Sequence, residues 1–207
     1  ALYAFTCEPL GQKMMYPDKY PPGADPDETL INKKNWRDLE TPDFTAGVPA
    51  AIDRILSATQ ELTGVAPLLQ ISAPYSLAAD IYGQEPLLAD VVNDPDSVNA
   101  MLDHLGDAVL GPWMDHFFEK FPKGWVELSD ASGSPFFIGP DNCRNMSIRS
   151  IRHTLRNKPY ASRVFDNNFR GDFVAEVKKK ARSSRRRGAL AGEDALPDRG
   201  RLLELTE

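Results

Sequence analysis

The chain has few of the residues that build metal and redox centres. Its 207 residues include 2 cysteines and 3 histidines, and the cysteines form no CxxC pair. Cys7 and Cys143 lie far apart in the sequence, so we expect two free thiols rather than a disulfide or a metal pair. The sequence also has no Cys/His cluster with ligand spacing, and we predict no metal site from it.

Long hydrophobic runs are absent as well. No stretch approaches the roughly 18 apolar residues of a membrane span, and the N-terminal sequence ALYAFTCEPLG lacks the basic start of a secretory signal. The composition, 42% hydrophobic and 26% charged, is that of a soluble globular protein. We therefore expect a cytoplasmic location, no membrane partner and a single domain with one sizeable core.

Positive charge is scarce in most of the chain and concentrated near its end. Residues 1–155 carry 11 Lys+Arg against 22 Asp+Glu, whereas residues 156–207 carry 13 against 8. Seven basic residues fall within 178–187, and no aromatic residue among them could stack on bases. The acidic body argues against nucleic acid as a partner. The basic segment is typical of a solvated tail, with an electrostatic contact to phosphate or to an acidic partner as the alternative.

Two segments place an apolar strand before a small polar turn and a helix. The first reads LLQISAPYSLAADIYG, and the second reads WVELSDASGSPFFIGPDNCRNMSIRSI. Helix, strand, helix, strand and helix with short links is the pattern of parallel α/β architecture. We predict that Leu68–Ser72 and Trp125–Ser129 are parallel strands of one sheet, with Ser72 and Asp130 near the same end.

Hydrophobic spacing predicts the helices around these strands. Apolar residues, among them Ile55 and Leu62, recur at helical spacing over 48–62 and lead into a strand over 66–71. Further helices are expected over 74–83, 85–92 and 141–155. Residues 1–30 are rich in proline and other turn formers, which predicts mostly irregular structure. After Asn157 the pattern weakens, although RVFDNNFRGDFV could supply one more strand and turn.

The longest apolar stripe predicts one long helix that packs on the core. Asp94 and Pro95 form a helix-start pair, with aspartate as the N-cap and proline at the first helical position. Behind them the stripe continues to Phe121. We expect the rings of Trp113 and Phe117 to be buried against the sheet rather than to bind a cofactor.

Small polar residues follow both strands. In an α/β barrel such turns form the C-terminal rim, where active sites lie. The turns hold Ser72, Asp130, Ser132 and Ser134, and Asp130 is the only ionised side chain in the turn 129–134. Asp130 is therefore our first candidate for a catalytic residue. The alternative for each of the four is an ordinary turn or helix-capping role.

Three segments within residues 30–156 occur in the order and at the spacing of a known family. They read INKKNWRDLETPDF, SAPYSLAADIYGQEPLLADVVNDPDSVNAML and WVELSDASGSPFFIGPDNCRNMSIRSI. This set resembles the uroporphyrinogen decarboxylase superfamily, which also contains corrinoid-linked methyltransferases. The resemblance implies a TIM-type (β/α)8 barrel. Because a complete barrel needs about 250 residues, we expect a partial one, with residues 1–172 as the α/β barrel domain and residues 173–207 as a basic tail.

The resemblance also implies a function and its ligands. The site would lie at the C-terminal mouth of the barrel and act on a tetrapyrrole carboxylate or on a methyl group carried by a corrinoid. A corrinoid-linked methyltransferase-like enzyme, or a fragment of one, is the leading hypothesis. The alternatives are a decarboxylase-type tetrapyrrole carboxy-lyase and a non-catalytic binding or assembly protein. The expected partners are a tetrapyrrole or corrinoid ligand and a corrinoid protein, with a homodimer left open.

Several functional positions of the family are changed in this chain. The tyrosine that decarboxylases carry after a Pro-aromatic-Thr/Ser-Leu turn corresponds to Asp80, with Tyr75 and Tyr82 nearby, and their N-terminal aspartate corresponds to Leu2. The methyltransferase branch binds zinc through a His-x-Cys pair and a later cysteine. Here Thr and Leu follow His153, and no cysteine follows Cys143. Corrinoid and zinc are thus implied as cofactors by resemblance alone, and no zinc ligands are visible.

The residues expected to bind substrate follow from their position at the C-terminal rim and from the family resemblance. The expected substrate-binding residues are Ser72, Tyr75, Asp80, Ser132, Ser134 and Arg149. Arg149, Arg152 and Arg170 are the cationic side chains that could pair with substrate carboxylates.

The three histidines are expected to be structural or exposed. His104 and His116 lie 12 residues apart on the long predicted helix, too far apart to share a metal ion. His153 follows Arg149 and Arg152 on a later helix, where we expect an exposed side chain, with an anion contact as the alternative.

Overall fold

The computed structural model of the chain describes residues 2–167, and the following elements lie in that part. The helices are α1 (Gly47–Thr63), α2 (Pro74–Tyr82), α3 (Gln84–Asn93), α4 (Pro95–Leu105), α5 (Gly111–Lys120), α6 (Pro135–Ile138), α7 (Pro140–Asn142) and α8 (Arg149–Leu155). The π-helical segments are Gly106–Leu110, between α4 and α5, and Cys143–Ile148, between α7 and α8. The strands are β1 (Met14–Met15), β2 (Gly23–Ala24), β3 (Leu68–Ser72), β4 (Trp125–Ser129) and β5 (Val164–Asp166). Short 3₁₀ turns cover Leu2–Phe5, Glu8–Leu10, Trp36–Asp38 and Ala161–Arg163.

The main sheet contains β3, β4 and β5 in sequence order, all parallel. Leu68 pairs with Trp125 and Ser72 pairs with Ser129, so the predicted pairing of the first two strands is confirmed. The fold class is therefore α/β with a parallel sheet. Over residues 2–167 this sheet is open and does not close into a barrel. The N-terminal region is mostly irregular, as expected, apart from 3₁₀ turns and the antiparallel pair β1–β2.

The two faces of the main sheet differ in polarity. Four apolar side chains on one face are at most 1% exposed and belong to the core that is shared with the helices: Leu69, Ile71, Val126 and Leu128. Side chains alternate along a strand, so Gln70 and Glu127 share the opposite face. There Gln70 Nε2 donates to Glu127 Oε2 at 2.9 Å, and Asn167 Nδ2 donates to Glu127 Oε1 at 2.6 Å. A polar row therefore crosses the sheet on the face opposite the apolar core.

One continuous helical segment spans residues 95–120 and confirms the long helix expected from the apolar stripe. Asp94 caps its start, with its side chain accepting a hydrogen bond from the Ser97 N–H at 3.4 Å. Trp113 and Phe117 are each 1% exposed, which confirms their burial. The Trp113 ring packs on Phe44, with ring centroids 5.4 Å apart.

Some sequence predictions were wrong in detail. Ile55 and Leu62 are 57% and 87% exposed, although their spacing suggested a core face. The buried face of α1 comprises only Pro49, Ile52, Asp53 and Leu56, because the helix extends past the edge of the core. The first long strand is β3 rather than 66–71.

Several other expectations are not decided by these residues. The domain boundary at 172/173, the candidate Arg170 and the basic segment 178–187 lie outside the described residues. Within residues 2–167, no helix has the length and apolar character to cross a membrane.

We predict that Gly106→Ala lowers the free energy of unfolding by about 1–3 kcal/mol, the usual range for overpacking. Gly106 lies in the π-helical segment against α8, and a Cβ there would collide with Thr154 Oγ1. Urea titration checks this. Gly23→Ala is the control, because a Cβ at Gly23 has no atom within 4 Å. Adding Thr154→Ala should recover part of the loss, and an unchanged stability of Gly106→Ala would contradict the packing described here.

Candidate functional site

Asp130 follows β4 and is fully buried. Its Oδ1 accepts hydrogen bonds from the Ser76 N–H at 3.1 Å and from the Ser76 hydroxyl at 2.9 Å, and its Oδ2 accepts from the Ser147 hydroxyl. The Ser76 N–H belongs to the first turn of α2, where N–H groups have no partner within the helix. The Asp130 backbone N–H donates to Asn167 Oδ1 at 3.1 Å. The carboxylate therefore makes helix-capping contacts, which were the alternative to a catalytic role. It joins the start of α2 to the π-helical segment before α8.

Tyr75 lies in the first turn of α2, beside this carboxylate. The residue is fully buried, and its hydroxyl oxygen has no hydrogen-bond partner within the described part of the chain. Burial raises the pKa of the Tyr75 hydroxyl, and the negative charge of Asp130 raises it further. The phenol is therefore protonated at neutral pH and holds an unused hydrogen-bond donor. Buried polar groups without a partner are rare and often mark functional positions.

Asp80 lies further along α2, close to Cys7. Burial raises the pKa of the Asp80 carboxyl to about 7. Burial also raises the pKa of the Cys7 thiol to about 12, and the charge of Asp80 contributes to that rise. No hydrogen bond or ion pair joins Asp80 to another residue of the described chain. Thr6 Oγ1 accepts from the Ser72 N–H at 2.8 Å, so this neighbourhood lies at the C-terminal end of β3.

The predicted serines are distributed around the same end of the sheet. Ser72 is buried and ends β3 opposite Ser129 of β4. The Ser132 N–H donates to the Ser76 hydroxyl at 3.2 Å, which connects the turn after β4 to α2. Ser134 precedes α6, but its side chain caps no backbone group of that helix. The structure therefore places all three at the C-terminal edge of the sheet, as expected.

Arg149 is bound within the helical layer. Its guanidinium donates to both carboxylate oxygens of Asp103, at 2.9 and 3.1 Å, and also to the side-chain and backbone oxygens of Asn99, both at 2.9 Å. These bonds join α8 to α4. They use four of the five N–H groups of the guanidinium, so most of its binding capacity is taken up within the helical layer.

The histidines make structural contacts. His153 lies between two carboxylates, with Nδ1 3.4 Å from Asp103 Oδ1 and Nε2 3.0 Å from Asp107 Oδ2, and its side chain is only 23% exposed, less than expected. The side chain instead adds to the contact between α8 and the long helical segment. His104 Nε2 lies 3.0 Å from the Leu39 carbonyl oxygen, and His116 Nε2 lies 2.8 Å from Asp53 Oδ2.

Residues 2–167 offer no group of three His, Cys, Asp or Glu side chains that could hold a metal ion. Cys7 and Cys143 are both buried free thiols. Burial raises the pKa of Cys143 to about 12, with the charges of Asp130 and Asp166 adding to the rise. Both thiols are therefore protonated at neutral pH and are poor ligands and nucleophiles. These residues do not fit the zinc ion that the family resemblance implies.

Sequence reasoning missed the polar row Gln70–Glu127–Asn167. The signal was present, because LLQIS and WVELS each carry one long polar residue at the third position of an otherwise apolar strand. Strands paired in register bring such residues together on one face. No sequence pattern indicates that the Tyr75 hydroxyl is unpaired. Whether it finds a partner depends on how α2 packs against the rest of the chain.

A solved structure similar to this chain is a methyltransferase from Methanosarcina mazei. The two agree with a TM-score of 0.64 at 14% sequence identity, over 80% of this chain and 48% of that one. This chain therefore spans about half the length of that methyltransferase, and at this identity the likeness shows the fold alone. No protein-family model and no curated protein sequence matches the chain.

We predict that Asp130→Asn lowers the free energy of unfolding by about 1–3 kcal/mol. The amide can keep an acceptor for the Ser76 N–H, but its NH₂ group would replace an oxygen that accepts from Ser147. Thermal or urea unfolding checks this. The control is Asp141→Asn, since the Asp141 side chain is 86% exposed. Full stability together with weakened ligand binding would instead support the catalytic role proposed from the sequence.

We predict that Asp80→Asn removes a pH dependence of stability. The carboxyl has a pKa of about 7 when folded and near 3.8 when unfolded. The stability that this carboxyl contributes is fully present below its pKa in the unfolded chain. It is lost as the pH rises through the folded pKa of about 7. The variant should therefore match the parent at pH 4 and exceed it at pH 8 by on the order of 2 kcal/mol, a value discounted for partial exposure. Urea titrations across this range check it, with exposed Asp18→Asn as control, and parallel pH profiles of parent and Asp80→Asn would contradict it.

Proposed function

We propose that this chain is a methyltransferase-like enzyme of the uroporphyrinogen decarboxylase superfamily, built on a partial (β/α)8 barrel and acting in the cytoplasm on a methyl group carried by a corrinoid. Three parallel strands in sequence order support the barrel, because a TIM-type barrel is built in that order. The fold likeness to a methyltransferase supports the reaction class. The resemblance of residues 30–156 supports the corrinoid as carrier.

The unpaired hydroxyl of Tyr75 is the observation that carries this proposal. A buried donor without an acceptor costs about 1–3 kcal/mol, and an acceptor on a ligand would remove that cost. Tyr75 follows β3 in the first turn of α2, at the C-terminal edge of a parallel sheet, where α/β proteins bind ligands. We assign it to a polar oxygen of the corrinoid periphery. Asp130 acts through Ser76 to position the turn that carries Tyr75.

Asp80, which lies on the same helix beside Cys7, is proposed to move a proton. A carboxyl with a pKa of about 7 can both donate and accept a proton near neutral pH. Ser72, Ser132 and Ser134 supply further polar groups at the same edge of the sheet. No step is assigned to zinc, because the residues described do not fit it.

A tetrapyrrole carboxy-lyase is the second candidate, and Asp80 is the residue that favours it. Loss of CO₂ leaves a carbanion, which must be protonated by a nearby acid. A half-buried carboxyl that keeps its proton near pH 7 is suited to this role. A binding or assembly protein without turnover is the remaining alternative.

We predict that Tyr75→Phe weakens corrinoid binding about tenfold, the loss expected for one hydrogen bond, without lowering stability. Absorbance titration with methylcobalamin measures affinity, and urea titration measures stability. Tyr20→Phe is the matched control, because Tyr20 is an exposed tyrosine far from the sheet in sequence. A lowered stability of Tyr75→Phe with unchanged affinity would contradict the role of the hydroxyl.

Three outcomes separate the candidate functions. Loss of methylcobalamin absorbance in the presence of a thiol acceptor supports methyl transfer. Binding of uroporphyrin but not of methylcobalamin, with CO₂ release from uroporphyrinogen, supports the carboxy-lyase. Binding without turnover of either compound supports a binding protein, and failure to bind both compounds would contradict the tetrapyrrole and corrinoid proposals together.

A further inference from the structure

A groove lies at the C-terminal end of α2, away from the Asp130 cap at the start of that helix. Its cavity volume is about 430 Å³, and its walls come from Thr29, residues 31–34, the last residue of α2 and the first turn of α3. Lys33 and Lys34 are the charged residues that line it, and in the described part of the chain no carboxylate lines it. The groove is thus locally cationic, although residues 1–155 as a whole are acidic.

Lys33 is fixed in place by an ion pair behind the groove. Its Nζ lies 2.5 Å from Asp90 Oδ1, and Asp90 Oδ2 accepts a hydrogen bond from the Tyr82 hydroxyl at 2.5 Å. Asp90 is buried, so this carboxylate is held firmly. The hydrogen bond from Lys33 contributes to lowering the Asp90 pKa, and the same bond raises the pKa of Lys33. Lys33 is therefore charged and positioned before any ligand arrives.

Lys34 supplies a second ammonium group from a well-ordered turn. The Lys34 N–H donates to Asn32 Oδ1 at 2.8 Å, and the Asn32 N–H donates to Asn35 Oδ1 at 2.7 Å. The Ile31 N–H donates to the Ile81 carbonyl oxygen at 3.0 Å, which ties the turn to α2. Among the described residues Lys34 has no ion-pair partner. The Lys34 ammonium is therefore available to a ligand without breaking an ion pair, whereas Lys33 is balanced by Asp90 and, at longer range, by Asp94.

The remaining wall is apolar and closely packed. Gly83 has a φ of +99°, and a Cβ at this position would lie 3.2 Å from both Thr29 Cγ2 and Pro86 Cγ. Glycine is therefore the residue that fits between these two side chains in this backbone conformation. Ile31 adds a further apolar lining side chain.

We propose that this groove binds a compact oxyanion, a phosphate or carboxylate group, between Lys33 and Lys34. Asp90, and at longer range Asp94, balance the charge of Lys33, so Lys34 supplies the attraction for such a group, and both lysines can donate charge-assisted hydrogen bonds to it. Tyr82 lies six residues after Ser76 on α2, so the groove is about 9 Å along the helix from the Asp130 contact. It is a second site, independent of the proposed methyl transfer.

Calorimetric titration of the whole chain with inorganic phosphate and, separately, with succinate tests the proposal. We expect saturable binding of at least one anion, with Lys34→Ala raising Kd about tenfold and Lys34→Arg retaining binding. Lys19→Ala is the matched control, since it removes the same charge from an exposed position outside the groove. Lys33 is left intact, because its removal would leave the buried Asp90 carboxylate without its cation.

Asn32→Asp adds a second test that keeps the turn. The new carboxylate retains an acceptor for the Lys34 N–H but places a negative charge in the groove, so it should abolish anion binding while the melting temperature changes little. Comparing the affinities for phosphate and succinate shows whether the groove prefers a phosphate or a carboxylate group. The proposal is overturned if neither anion binds saturably, or if Lys34→Ala and Lys19→Ala weaken binding equally. The assay uses neither corrinoid nor porphyrin, so its result is separate from that of the proposed function.

Discussion

The buried carboxylate of Asp130 is the interaction on which this arrangement depends. It receives donors from Ser76 and Ser147, and its own N–H binds Asn167, so three parts of the chain meet at the end of β4. A charge buried this completely is tolerated only when hydrogen bonds compensate for its lost hydration. Gly133 lies directly against the carboxylate, where a Cβ would be 2.8 Å from Asp130 Cγ. The start of α2, the approach to α8 and the turn after β4 are thus fixed relative to one another.

Helix α2, whose start is fixed by this carboxylate, holds three of the positions discussed above. Its first turn holds the unpaired Tyr75 hydroxyl, its middle holds the Asp80 carboxyl, and its last residue lines the cationic groove. All three positions therefore move as one rigid element. The packing of α2 is correspondingly tight, since eight of its nine residues are buried. A helix buried to this extent has few alternative positions, which suits groups that must be held at fixed distances from a ligand.

The sequence predicted the order and type of elements well, because periodicity and turn residues act locally. The strand pairing, the long helix over 95–120 and its Asp94 cap all follow from such signals. The site was harder, since Asp130 could be placed at the strand end without any indication that Ser147 would reach it. His153 is less exposed than expected for the same reason. Its neighbours, Asp103 and Asp107, lie some fifty residues earlier, and helix packing rather than local pattern brings them together.

The polar row Gln70–Glu127–Asn167 has a consequence for how this sheet can change. Hydrophobic burial acts on the other face, where Leu69, Ile71, Val126 and Leu128 lie. Substitutions there alter folding, whereas the polar face contributes little apolar burial and satisfies its hydrogen bonds across the strands. Asn167 also accepts from the Asp130 N–H, and Glu127 is buried, so a replacement in this row has to keep both hydrogen bonds across the strands. One face of the sheet is thus held by apolar burial and the other by a hydrogen-bonded chain that leads to the Asp130 carboxylate.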